Sequence, residues 1–211
     1  MHQRKSKKIF IYFFLFIIIG TFNNKNFNKI NLINIDNIKV TGLNEKNNLD
    51  LIKNFDFLKI DNLFFLKEAE INEIVNSHSL VEEYSVFKKY PSTLNIEIKK
   101  TEFLAQIKKN EEIFFLGSNG KLTEINEFRK DLPFIFGNFE NKNFFELRKA
   151  IEEANFDYDK IKNLFFFKSG RWDIETKSGL LIKLPKSEIS RSLNLLIVFL
   201  DQNKKQNIKE I

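Results

Sequence analysis

The 211-residue sequence has no cysteine, two histidines, three prolines and a single tryptophan. Without cysteine there is no disulfide framework and no thiolate-ligated zinc or iron–sulfur site. The histidines, His2 and His78, lie in a basic N-terminal tail and at the end of a helical pattern, so they cannot share a metal or serve one catalytic triad. A sustained excess of one charge is missing too. The net charge is +6, from 34 Lys+Arg against 28 Asp+Glu, but Arg4, Lys5, Lys7 and Lys8 supply four of the basic residues within the first eight. Elsewhere Lys alternates with Glu and Asp, which excludes a surface that tracks nucleic-acid phosphates. Internal repeats and low-complexity linkers are absent, and a 43% apolar, 29% charged balance excludes a disordered chain.

Behind the basic tail stands Ile9–Phe22, IFIYFFLFIIIGTF, fourteen residues without a charge. A run of that length falls short of the roughly 20 residues that span a bilayer, which is compatible with a core helix or a cleaved signal peptide. It has no polar face, however, and no pair of small residues suited to signal peptidase. Lys8 and Lys25 can snorkel from either end. The segment therefore reads as an uncleaved anchor over residues 9–24, after a cytoplasmic tail at 1–8. The positive-inside rule places everything beyond about residue 25 on the far side.

Residues 25–34 form an Asn- and Lys-rich spacer. Ile35–Thr41 alternates as a half-buried strand and Gly42 ends it. Leu49, Ile52 and Phe55 share one helical face, and Ile71, Ile74 and Val75 mark a second helix between Lys67 and His78. The period then becomes two: Val81, Tyr84, Val86 and Leu94, Ile96, Ile98 flank a turn at Lys89–Ser92. Strand, helix, helix, strand, strand over residues 35–102 is a small α+β unit. From Phe103 to Ile211 the strand signals continue at 103–107, 113–116, 122–125, 161–168, 171–177 and 180–184. Two helices are expected there, at about 144–155 and 187–203, giving a β-rich second domain over 103–211.

Catalytic constellations do not survive inspection. Ser85-Val86-Phe87-Lys88 matches Ser-x-x-Lys, but it sits on a strand and has no companion motifs. Gly117-Ser118-Asn119-Gly120-Lys121 lacks the spacing of a phosphate loop and reads as a hairpin turn. Glu82-Glu83, Glu111-Glu112 and Glu152-Glu153 are adjacent pairs, which point apart rather than into one cleft. No enzyme, cofactor or small-molecule substrate is indicated. Trp172 is read either as a core residue or, with Arg171, as an interface anchor near a sheet edge.

The ordered motifs resemble the FtsQ/DivIB family of bacterial cell-division proteins. Ile38-Lys39-Val40-Thr41-Gly42 is similar to the first strand of that family's POTRA domain, and Asn62-Leu63-Phe64 to the segment before its second helix. Tyr90-Pro91-Ser92-Thr93-Leu94-Asn95-Ile96-Glu97-Ile98 resembles its P-x-T-L-x-I-x-V signature, with Ala105 further on. Leu132-Pro133 with Gly137, Arg171-Trp172-Asp173, Gly179 and Leu184-Pro185 follow in the family's order. Lys100, Thr101 and Phe103 stand where the family has Glu, Arg and Pro. The final residues, Asn207–Ile211, stand where it continues into a strand beginning Ile-Asp-Leu-Arg.

The resemblance implies a bitopic inner-membrane scaffold at the division septum, with its N-terminus cytoplasmic and its two domains periplasmic. It implies binding to FtsB- and FtsL-like proteins by strand addition, contacts to other division proteins through the POTRA domain, and control of septal cell-wall synthesis. By the same resemblance Val86 and Lys88 contribute to recruitment, although both also fit ordinary strand positions. Arg171 and Trp172 are expected at the partner interface. Ile208 and Ile211 belong to a shortened last strand, unless the open edge is 171–177 or 180–184. The alternative is a POTRA-bearing accessory of outer-membrane protein assembly or secretion.

Overall fold

The computed structural model describes residues 7–21, 34–124, 129–203 and 209–211. The apolar N-terminal run is helical as α1, Lys7–Thr21, and exposes large side chains all round, among them Phe10 at 70% and Phe16 at 75%. Fifteen residues rise about 22 Å, against a hydrocarbon core of about 30 Å. Among the described residues no helix is long and apolar enough to cross a membrane. The expected transmembrane span is thus corrected to a short apolar helix.

The next unit has the expected β-α-α-β-β order. It comprises β1 (Asn37–Thr41), α2 (Glu45–Asn54), α3 (Glu68–Ser77), β2 (Val81–Lys89) and β3 (Thr93–Lys100). Asn44 starts α2, its side chain accepting the Asn47 N–H at 2.9 Å, which satisfies one of the helix's free donors. Leu51 of α2 and Phe55 at its C-cap, one helical turn apart, are buried, and Leu49, read as inward-facing, is 50% exposed. Ile71 and Val75 give α3 the same spacing. The strand order is β1-β3-β2, with β1 parallel and β2 antiparallel to the central β3. Leu94, Ile96 and Ile98 of β3 are buried under the helices, as a period of two on a one-sided sheet requires.

A second sheet of seven strands carries the rest: β4 (Phe103–Lys109), β5 (Glu112–Gly117), β6 (Leu122–Glu124), β7 (Phe134–Phe136), β8 (Ile161–Phe166), β9 (Trp172–Thr176) and β10 (Leu181–Lys183). Their order is β10-β9-β8-β7-β4-β5-β6. Helices α4 (Asn141–Glu153) and α5 (Ile189–Gln202) bury Phe144, Leu147 and Ile151, and Leu193 and Leu196, in its core. The three-residue β7, not expected as a strand, lies at the centre of the sheet, parallel to both β4 and β8. Fully buried Gln106 fixes it there. Its amide donates to the Arg129 and Leu132 carbonyls and accepts from the Arg129 N–H, while its own N–H donates to the Pro133 carbonyl.

The two sheets meet at a polar joint. Ser118 and Thr101 both donate to Glu82 Oε2, at 2.5 and 3.1 Å, and Asn119 Nδ2 donates to the carbonyls of Ser79 and Val81. Lys121 Nζ adds a bond to the Asn76 carbonyl.

Candidate partner-binding surfaces

One candidate surface is the sheet edge beyond β9. β10 offers only three residues. It is covered by this chain's own C-terminus. Leu181 N–H donates to the Lys209 carbonyl at 3.0 Å, Ile211 N–H to the Leu181 carbonyl at 3.0 Å, and Lys183 N–H to the Ile211 carbonyl at 2.9 Å. Leu181 and Glu210 form a parallel bridge, and Lys183 pairs with the Glu210 carboxylate. Because Lys209 and Ile211 supply the inward bonds, Glu210 turns its own N–H and C=O away from β10. Among the described residues, the outermost backbone at this end of the sheet is therefore 209–211.

This arrangement changes which backbone lies at the edges named from sequence. β9, covering most of 171–177, pairs with β8 on one side and β10 on the other, so it is not an edge. β10 itself is masked from outside by 209–211. Ile211 is 39% exposed at the rim, and Ile208 lies outside the described residues.

Arg171 and Trp172 separate in the structure. Trp172 is 2% exposed, with ring centroids 4.7 Å from Phe166 and 5.8 Å from Phe139, so its side chain fills the core instead of anchoring a partner. The reason is register: opposite Phe166 on β8, it points to the face that α4 and α5 cover. Arg171 stays partly open and lies over the Phe167 ring, 4.9 Å from its centroid. Its Nη2 donates to Oδ2 of the buried Asp173 at 3.2 Å. The Nε–Oδ1 approach of 3.0 Å lacks hydrogen-bond alignment and is electrostatic only. On the same strand Glu175 accepts from Asn163 at 2.7 Å and Lys162 at 3.0 Å, and these bonds hold its carboxyl below the usual range.

Val86 and Lys88 lie on β2, one of the two edge strands of the three-stranded sheet. Val86 is half-buried against the core, and exposed Lys88 reaches back to donate to the Leu66 carbonyl at 3.3 Å. With Leu66, Glu68, Ile71, Tyr84 and Ser85 they line a groove of about 750 Å³. The Tyr84 hydroxyl there donates to Asn72, and burial with nearby Glu68 raises its pKa.

Two surfaces escaped the periodicity argument. Helix α5 exposes Leu195 at 64% and Val198 at 55% on the side away from its buried stripe. Phe64 and Phe65 are exposed at 55% and 81% between α2 and α3. The run Leu63-Phe64-Phe65-Leu66 was the available signal: four apolar residues in a short loop cannot all turn inward.

The descriptions of known families fit this geometry. "POTRA domain, FtsQ-type" matches residues 33–100, and "Cell division protein FtsQ/DivIB, C-terminal" matches residues 105–211. The cell division protein FtsQ of Rickettsia prowazekii is 24% identical over 182 residues, covering 84% of this chain and 67% of that protein. The cell division protein DivIB of Clostridium botulinum is 29% identical over 135 residues, covering 63% of this chain and 51% of that one. The solved major extracytoplasmic domain of the trans isomer of DivIB from Geobacillus stearothermophilus matches 49% of this chain and 96% of its own, at 14% identity and a TM-score of 0.35.

Proposed function

The chain belongs to the FtsQ/DivIB family of bacterial cell-division proteins, and we propose that it is a non-catalytic, membrane-attached scaffold of the division machinery that receives an FtsB- and FtsL-like partner by strand addition. The observation that carries this reading is the C-terminal strand 209–211. It covers β10 on one side and presents on the other the Glu210 N–H and C=O, unpaired among the described residues and of the kind that β-augmentation uses. The apolar α1, with its large side chains exposed from Ile9 to Ile17, supplies attachment to the inner membrane, and the division role puts the folded units on the periplasmic side. The groove beside Val86 and Lys88 serves other division proteins, and the assembly helps to control septal cell-wall synthesis. The outer-membrane assembly alternative loses its ground, because the matched POTRA type is the FtsQ one.

Glu210→Pro tests the proposal directly. The Glu210 N–H makes no bond to β10, so Glu210→Pro keeps the three backbone bonds of the cover and gives up only the exposed Lys183 ion pair, while a strand added outside loses a donor. Expected are wild-type melting and lost co-purification of the FtsB-like partner; unchanged partner binding refutes strand addition at 209–211. In cells, depletion should give filaments that a tagged copy rescues from midcell. Normal cell length with signal spread round the envelope refutes the division role.

A further inference from the structure

The most exposed aromatic side chains of the folded units gather where the chain arrives from α1. Asn34 bridges to Asn62, Ile35 N–H donates to the Asp61 carbonyl, and Asp36 and Asn37 N–H both donate to the Ser92 carbonyl. Two residues from Asn62 and from Ser92 stand Phe64 and Tyr90, whose rings meet at 4.8 Å and which are 55% and 56% exposed; Phe65 beside them is 81% exposed. The loop is not loosely held. Phe64 N–H donates to Asn62 Oδ1, Phe65 and Leu66 N–H donate to the Asn62 carbonyl, and Lys88 clamps the Leu66 carbonyl. Leu63 and Leu66, 0% and 8% exposed, plug into the core on either side. A fixed turn with two buried anchors therefore holds two phenylalanines out into solvent, an arrangement that folding alone does not reward.

We propose that this end of the POTRA unit sits in the headgroup region of the membrane that holds α1, with Phe64, Phe65 and Tyr90 inserted at the interface. The proposal rests on the membrane attachment read above. Twelve residues, 22–33, separate α1 from Asn34, a reach of at most about 47 Å, so this is the part of the folded units tethered closest to the bilayer. Flanking charges are of both signs, Lys67 and Lys89 against Asp61 and Glu68. Attraction is therefore apolar, through rings that suit the boundary between headgroups and acyl chains. Seating here would fix the orientation of the POTRA groove relative to the membrane plane.

The absence of cysteine permits a clean test on the full chain in phosphatidylethanolamine–phosphatidylglycerol vesicles, with a fluorophore on Phe65→Cys or on Ser77→Cys, an exposed site at the other end of α3. The expected result is that the chain floats with the vesicles, and that the label at 65 is quenched by brominated lipid and shielded from iodide several-fold relative to 77. A label on Tyr90→Cys should lose about tenfold of its docked-to-free ratio when Phe64→Ser and Phe65→Ser are added. A chain that floats but leaves 65 as open to iodide as 77 overturns the proposal and leaves attachment standing. Iodide shielding without lipid quenching also overturns it and assigns the patch to a protein. A chain that fails to float removes attachment and proposal together.

Discussion

The two folded units share no core, yet their parallel strands stop in the same way. In the POTRA unit β1 ends at Thr41 opposite Glu97 of β3, and Gly42 follows with φ +110° against the Ile98 carbonyl. In the second unit β7 ends at Phe136 opposite Phe165 of β8, and Gly137 follows with φ +105° against the Phe166 carbonyl. A Cβ would fall 1.7 Å from the first carbonyl oxygen and 2.1 Å from the second. In each case the chain must leave a parallel neighbour abruptly, with a backbone only glycine adopts without strain and at a distance only glycine allows. What differs is the filling. The POTRA core is mostly aliphatic, whereas the second core is organised around Trp172, Phe139, Phe144 and Phe166.

The largest effect tests that difference. Trp172→Ala removes the side chain on which the aromatic cluster packs and should destabilise the second unit by about 3–5 kcal/mol, read as a fall in its thermal midpoint while the POTRA unit melts as before. A folded variant that lost only partner binding would return Trp172 to the interface.

The shared exit is tested next. Gly42→Ala and Gly137→Ala should each cost about 2–3 kcal/mol, each in its own unit, because both strain and backbone overlap are involved. Gly179 is the contrast: φ is +85°, but a Cβ there meets nothing within 4 Å. Only the left-handed backbone counts, so Gly179→Ala should cost about 1 kcal/mol in a denaturant titration. Equal losses at all three positions would show that conformation, not close approach, sets the effect. Arg171→Ala should cost about 1–2 kcal/mol, since it strands the buried Asp173 carboxylate near a surface that water can reach. Arg171→Lys, which keeps the charge but loses the planar guanidinium over Phe167, should recover part of that loss.

These contrasts show which parts of the molecule were legible in sequence. Periodicity and turn residues located β1, α2, α3, β2 and β3 to within a few residues, because each is a local amphipathic segment with its own stop signal. β7 was hidden: three residues between Pro133 and Gly137 cannot show a period, and their pairing partners lie far away in the chain. Trp172 was ambiguous for a related reason, since its face depends on register with Phe166. The cover of β10 by 209–211 carries no local signal, because a three-residue parallel pairing is specified by where α5 delivers the chain. The polar joint was invisible too. Its members, Glu82, Thr101, Ser118 and Asn119, look like ordinary strand and turn residues until the two sheets meet.

The smallest expected effect lies at that joint, where the two units cease to be independent. His78 caps the end of α3. Its Nδ1 accepts the Leu80 N–H at 3.2 Å, and its carbonyl accepts from Lys121 of the second unit at 3.4 Å. Burial first, and the Lys121 charge second, push the imidazole pKa down, with Asp50 opposing them. The folded protein therefore binds less proton than the unfolded chain, in which the imidazole titrates at its ordinary value near 6.5. Stability is then fully present above that value. It is lost as pH falls from about 7 toward the depressed folded pKa, and the loss levels off below it. The expected outcome is a modest fall in melting midpoint between pH 7 and pH 5 that His78→Gln abolishes, with Lys121→Gln reducing it by removing one of the two causes. A midpoint that rises on acidification would mean that Asp50 dominates at this imidazole and that the joint gains from its protonation.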